Sequence, residues 1–109
     1  MDLAAIPWRN TRHPGVSVHF YAAQQATGRV LALIRMAPGC GYPPHRHRGT
    51  EQVLVLCSGY RDQLGEHRAG AFVTYEDGTQ HGPVAIDGAG AEPCVLLALA
   101  HEGVELLGG

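Results

Sequence analysis

An all-β fold, barrel or sandwich, is the class this sequence predicts, and three observations predict it. Short runs rich in β-branched and apolar residues recur along the chain, turn residues separate them, and no segment sustains an apolar period near 3.6. The 15 glycines and 7 prolines fall mostly at 38 to 44, at 59 and 65, at 78 to 83 and at 88 to 93, between the runs.

The elements follow in order. "VSVHFYAA" and "RVLALIRM" read as two strands, and the "QQATG" between them as a hairpin connection. "EQVLVLC", "AFVTY" and "CVLLALA" are three further strands, while the tail "HEGVELL" is expected to make a short turn of helix and the terminal Gly-Gly a frayed end. With 109 residues the chain has the ordinary size of one domain. The expected division is a single domain over 1–109, with a core of about 16–100, an N-terminal arm 1–15 and a short C-terminal tail 101–109.

Composition excludes several classes of function. Hydrophobic residues make up 45% and the formal net charge is −2, so disorder is not expected. Eight Lys and Arg against ten Asp and Glu leave no basic excess, and the local "HRHR" cluster is too small to supply one, so nucleic acid is not an expected partner. No run approaches the roughly 20 apolar residues that span a bilayer, and the opening "MDLAAIPWRN" lacks the basic start and long apolar core of a signal peptide. No membrane role and a cytoplasmic location are the expectations. Cys40, Cys57 and Cys94 form no CxxC pair and are odd in number, which argues against a disulfide framework and for small packed thiols.

The chemistry concentrates in "PPHRHRGTEQVLVLCSG", residues 43–59. Side chains alternate along an extended chain, so His45 and His47 share a face. If the "RGT" turn preserves the pleat, the Glu51 carboxylate joins them, and Val53, Val55 and Cys57 carry that face inward. Imidazoles and a carboxylate at the end of an apolar lumen describe a divalent metal site. His81, in "YEDGTQHGP" after another strand and a glycine turn, is the fourth donor. His13, His19, His67 and His101 show no partner spacing and are expected to be surface or hydrogen-bonded residues.

At these residues the chain resembles the cupin family. Its first motif runs glycine, five residues, His-x-His, three or four residues, Glu, six residues, glycine; Gly39, His45, His47 and Glu51 match, and Gly59 arrives one residue late. The second runs glycine, five residues, Pro-x-Gly, two residues, His, three residues, Asn; Gly70, Gly78 and His81 match, with Glu76 in place of the proline and Ala85 in place of the asparagine. The resemblance implies a small jelly-roll β-barrel holding one divalent metal ion per chain on His45, His47, Glu51 and His81. "TGRVLALIRMAPG", the two motifs with their short link, and "CVLLALA" are similar to the cupin domain of ChrR-type anti-sigma factors and stand-alone proteins like it, over residues 27 to 100. In that group a separate helical domain with its own zinc site holds the sigma factor; no segment of that kind lies in these 109 residues, so anti-sigma activity is not carried over.

Two functions from different classes follow. ChrR-type cupins bind zinc, and three histidines with a glutamate can close a tetrahedral zinc site, giving a non-catalytic module for ligand or oxidant sensing or for protein interaction. The same set on Fe(II), manganese or nickel leaves two positions open, and similar cupin sites include acetylacetone-type and quercetin-type dioxygenases. The resemblance thus implies a metalloenzyme acting on a small β-dicarbonyl or phenolic enol, the reading favoured here, with Glu51 as ligand or as the base that takes the enol proton. Arg35, Tyr42 and Tyr75 are the substrate-binding candidates, Arg35 because an inward guanidinium can hold a carboxylate through two bonds. Cys57 shares the parity of Val53 and Val55 and is ranked as packing. Parity also turns Leu54 and Leu56 outward, and edge strands need covering, so a homodimer is expected.

Overall fold

The computed structural model describes residues 2–24, 26–101 and 104–106, and for Arg46, His47 and Val104–Leu106 the backbone alone. A single 3-10 turn, Leu3–Ala5, precedes twelve strands: β1 Arg9–Asn10, β2 Val16–Gln24, β3 Arg29–Met36, β4 His45–His47, β5 Glu51–Cys57, β6 Gly59–Asp62, β7 Gly65–Arg68, β8 Phe72–Tyr75, β9 Gln80–His81, β10 Val84–Ala85, β11 Cys94–Ala100 and β12 Val104–Leu106. The fold is all-β with antiparallel ladders throughout. A six-stranded sheet has the order β1-β2-β3-β11-β5-β8, and two three-stranded sheets have the orders β10-β6-β7 and β12-β4-β9. Among the described residues these remain three sheets and do not join into one closed ladder.

The five expected long strands are β2, β3, β5, β8 and β11. Their β-branched and apolar residues fit a pleated surface that is buried on at least one face. Alternate residues of the central strands point into the molecule, where Val16, Met36, Val53, Val55, Leu96 and Ala98 form the core with Tyr60, Tyr75, Ala85 and Cys94. The opposite face of β3 is covered as well: Leu33 is fully buried, and the Trp8 ring of the N-terminal arm lies under the Arg35 guanidinium at 4.6 Å. The tail departs from expectation, because Val104–Leu106 is strand β12 on the edge of β4 and not a turn of helix. Pairing with an open edge outweighs the weak local preference of so short a segment. The terminal Gly-Gly lies outside the described residues.

One irregularity re-aims side chains near the site. Leu96 pairs with Val55 but Val95 pairs with Cys57, so Leu56 is an extra residue in β5. Beyond this bulge the alternation is broken: Leu56 stands exposed, and the Cys57 thiol reaches the Glu92 carboxylate at 3.6 Å instead of continuing the inward face of Val53 and Val55. The expected parity of Cys57 is corrected accordingly. The extra residue also explains why Gly59 follows its motif spacing one position late. At Gly59 the backbone approaches β7 so closely that a Cβ would sit 2.4 Å from the His67 carbonyl oxygen.

Candidate metal centre

Each of the three sheets contributes to the site. The six-stranded sheet supplies an apolar wall from rows of paired residues. One row runs Phe20, Ala32, Ala98, Val53, and the next runs Val30, Ala100, Glu51, Tyr75. Because Ala32, Ala98 and Ala100 are small, the wall is hollowed into a cavity of about 200 Å³, bounded on its other side by Tyr42, His45, Tyr60 and His81. That is below the roughly 300–1,000 Å³ of drug-sized ligand sites, so it suits a small molecule.

Glu51 enters this cavity from the start of β5, at the end of the apolar row. His45 and His81 come from the edge sheet, where β4 and β9 place them as direct partners. Their ligand atoms and a Glu51 carboxylate oxygen all lie within 4.8 Å of one another, and both histidines are buried, at 5% and 4% exposure. The turn expected to preserve the pleat before Glu51 is held in place: the Gly49 N–H donates to Asp77 Oδ1 at 3.0 Å, joining the first motif's loop to the second's. The side chain of His47, the other expected ligand, lies outside the described residues.

The imidazoles are fixed by hydrogen bonds on the ring nitrogen away from the cluster. His45 Nδ1 lies 3.1 Å from the Pro43 carbonyl, which can only accept, so Nδ1 carries a proton, and the neutral ring has its lone pair on Nε2. His81 Nδ1 lies 2.8 Å from Asp62 Oδ2 in the same relation. Two imidazoles with Nδ1 engaged elsewhere, beside a carboxylate in a buried cleft, form a donor set suited to a divalent ion of the zinc or Fe(II) kind.

Asp62 was not legible as a site residue. It ends β6 in the polar hairpin "GYRDQLGEHR", a stretch without alternation or motif spacing. In the structure its carboxylate is fully buried and accepts four hydrogen bonds, two on each oxygen. The Leu64 N–H at 3.0 Å and His67 Nε2 at 2.9 Å serve Oδ1; Tyr75 Oη at 2.5 Å and His81 Nδ1 at 2.8 Å serve Oδ2. Burial opposes its ionisation, but the bonds from Tyr75, His81, His67 and the Leu64 backbone prevail and hold the carboxyl at about 2. His67, expected as a surface or hydrogen-bonded residue, is hydrogen-bonded.

The three substrate-binding candidates separate. Tyr42 lines the cavity with its ring 6.3 Å from that of His45; burial, and then the negative charge of Glu51, push its hydroxyl above the ordinary tyrosine range. It is therefore a neutral hydroxyl at physiological pH. Tyr75 sits behind the site, 3% exposed, its ring 4.1 Å from His81 and its hydroxyl on Asp62. Arg35 is not brought to the cluster. It belongs to the other face of β3, between Trp8 and Ser17, in an outer groove with Asn10 and His13.

An all-β fold with two histidines and a glutamate at the end of an apolar cavity defines the class as cupin-like. The sequence model of the ChrR cupin-like domain matches residues 1–99, and the chain belongs to that family. Among solved structures it is similar to a chain in the complex of Rhodobacter sphaeroides SigE with the anti-sigma ChrR, with 30% identity and a TM-score of 0.76 over 90% of this chain and 50% of that one. The polyketide cyclase RemF from Streptomyces resistomycificus gives 19% identity and 0.72 over 95% and 81%. An acetylacetone dioxygenase from Acinetobacter johnsonii gives 13% and 0.69 over 80% and 60%. The last two likenesses show the fold alone, and the chain spans about half the length of the one it matches in the ChrR complex. No curated protein matches it by sequence. No helix among the described residues is long and apolar enough to cross a membrane.

Proposed function

We propose that this chain is a metal-binding cupin of the jelly-roll type that acts on a small organic molecule, such as a β-dicarbonyl or a phenolic enol, in a dioxygenase-like reaction. The observation that carries the reading is the apolar cavity of about 200 Å³ with His45, Glu51 and His81 on its wall. A closed structural site has no use for such a space. His47 completes the donor set by its spacing in the first motif.

His45, Glu51 and His81 would hold a divalent ion, which would supply Lewis acidity to a bound enol. The chain's own residues do the rest. Glu51 lies where it either stays among the donors or accepts the enol proton, since a general base must reach the proton it takes. Tyr42 offers a neutral hydroxyl beside His45, and Val53, Ala98 and Leu96 keep the organic part of the ligand from water.

Membership of the ChrR cupin-like family favours the second reading, a zinc-bound module that senses a small ligand or oxidant or binds a protein. Elemental analysis of untagged protein purified without oxygen, beside a His45→Ala/His81→Ala double variant, decides between them. One equivalent of iron, manganese or nickel that the variant lacks supports the enzyme, and oxygen uptake with β-dicarbonyls then tests its substrate. One equivalent of zinc supports the module. Equal metal in both proteins, or none in either, rules out both.

The free thiols fit a cytoplasmic protein, and the exposed Leu56 and Phe72 support a homodimer paired through the outer face of the six-stranded sheet. Light scattering at micromolar concentration tests the pairing, and a single-chain mass excludes it.

A further inference from the structure

The Asp62 carboxylate has about four lone-pair directions, and four donors occupy them. An ionised carboxylate only accepts, so every partner must bring its own proton. Two consequences are fixed by this polarity. His81 carries a proton on Nδ1, so that in the neutral ring the lone pair is on Nε2, a buried atom of a residue that lines the cavity. Tyr75 donates its only proton to Asp62, so Tyr60, 2.6 Å away, must be the donor to Tyr75.

The chain of bonds therefore runs in one direction, from Tyr60 on the cavity wall through Tyr75 to Asp62, with His81 feeding the same oxygen. Asp62 stands on β6, in a different sheet from His81 on β9 and Tyr75 on β8. Its carboxylate joins all three sheets by polar bonds in the interior.

We propose that Asp62 is a positioning residue for the site: it sets the tautomer and orientation of His81 so that the Nε2 lone pair faces the cavity. This rests on reading His81 as a metal ligand. A histidine ligand whose second nitrogen donates to a carboxylate is held in one orientation and made more basic, and loss of such a partner typically costs 10–100-fold in metal affinity. An asparagine at position 62 reverses the relation, because its amide N–H donates to His81 Nδ1 and sends the imidazole proton to Nε2, the nitrogen the metal needs.

The test uses the full chain and two readouts. The first needs no metal: the imidazole nitrogen NMR shifts of His81, assigned against His81→Ala, report which nitrogen is protonated. The wild type is expected to show Nδ1–H and Asp62→Asn to show Nε2–H. The second is zinc affinity by competition with a chromophoric chelator. Asp62→Asn is expected to bind about 10–100-fold more weakly, while His67→Gln, which removes another donor from the same carboxylate, stays close to the wild type. Nε2–H on the wild-type His81 overturns the proposal, as does unchanged zinc affinity in a folded Asp62→Asn or an equal loss in His67→Gln. If Asp62→Asn does not fold, the wild-type tautomer alone decides. Nδ1–H in a wild type that binds no zinc supports the positioning role and overturns the metal reading.

Discussion

His45 and His81 are direct partners across the β4–β9 ladder, with ring centroids 4.4 Å apart and planes at 78°. Two residues 36 positions apart in sequence thus form one unit on an edge sheet, and Glu51 reaches it from another sheet. Loss of either ring removes a donor outright. Each of His45→Ala and His81→Ala is expected to weaken zinc binding by more than the roughly 10–100-fold that an outer partner is worth, and equilibrium dialysis against zinc measures it.

The cavity can be filled without touching the donors. Ala98 lies between Ala32 and Val53 in the middle of the wall. Ala98→Leu is expected to leave zinc affinity unchanged and to abolish binding of a small β-dicarbonyl, with unfolding free energy altered by less than about 1 kcal/mol because the new methylenes enter existing space. Calorimetric titration with zinc and then with acetylacetone separates the two effects.

Acid should unfold the protein through Asp62. Its carboxyl titrates at about 2 in the folded chain against an ordinary value of 3.8, a depressed group whose contribution is complete above the unfolded value. Stability is therefore expected to hold down to about pH 4 and to fall as the pH drops towards about 2. Tyr75→Phe removes one of the donors to this carboxylate, and its acid transition is expected to begin at higher pH. Circular dichroism along an acid titration of both proteins checks the direction.

Much of this was legible in the sequence, for physical reasons that also mark where legibility stopped. Strands β2, β3, β5, β8 and β11 announce themselves because long apolar runs between glycine and proline have few alternatives. His45, Glu51 and His81 stand out as a group because donor residue types recur at motif spacing, and the structure brings these three together. Asp62 carries no such signature: a carboxylate that supports a ligand needs only to be near it in space, and its hairpin reads as solvent-facing. Arg35 lies in the outer groove and not on the cavity wall; β3 is apolar on both faces, so nothing in "RVLALIRM" says which parity points inward. Cys57 failed for a different reason. Alternation from Val53 predicts its direction only on an unbroken strand, and the sole sequence trace of the Leu56 bulge is the displaced Gly59.

Gly59 should not accept a side chain. Gly59→Ala is expected to cost about 1–3 kcal/mol, because its Cβ meets a carbonyl oxygen of β7 and the Ile86 Cδ1 atom at 2.9 Å. Chemical denaturation measures the loss. Gly65→Ala, where a Cβ meets nothing within 4 Å, controls for the removal of a glycine, although its positive φ of 122° carries its own strain.

Strand β11 pairs with β3 on one side and β5 on the other. During synthesis, which runs from the N-terminus, β3 and β5 are therefore made long before the strand that separates them. Until residues 94–100 have left the ribosome, both carry an unpaired edge, and Glu51 is held by β8 alone, with no link to β3 and the rest of the wall. A nascent chain stalled before Cys94 would lack the middle of the cavity wall, so the hollow beside His45, Glu51 and His81 belongs to the finished fold and not to the growing one.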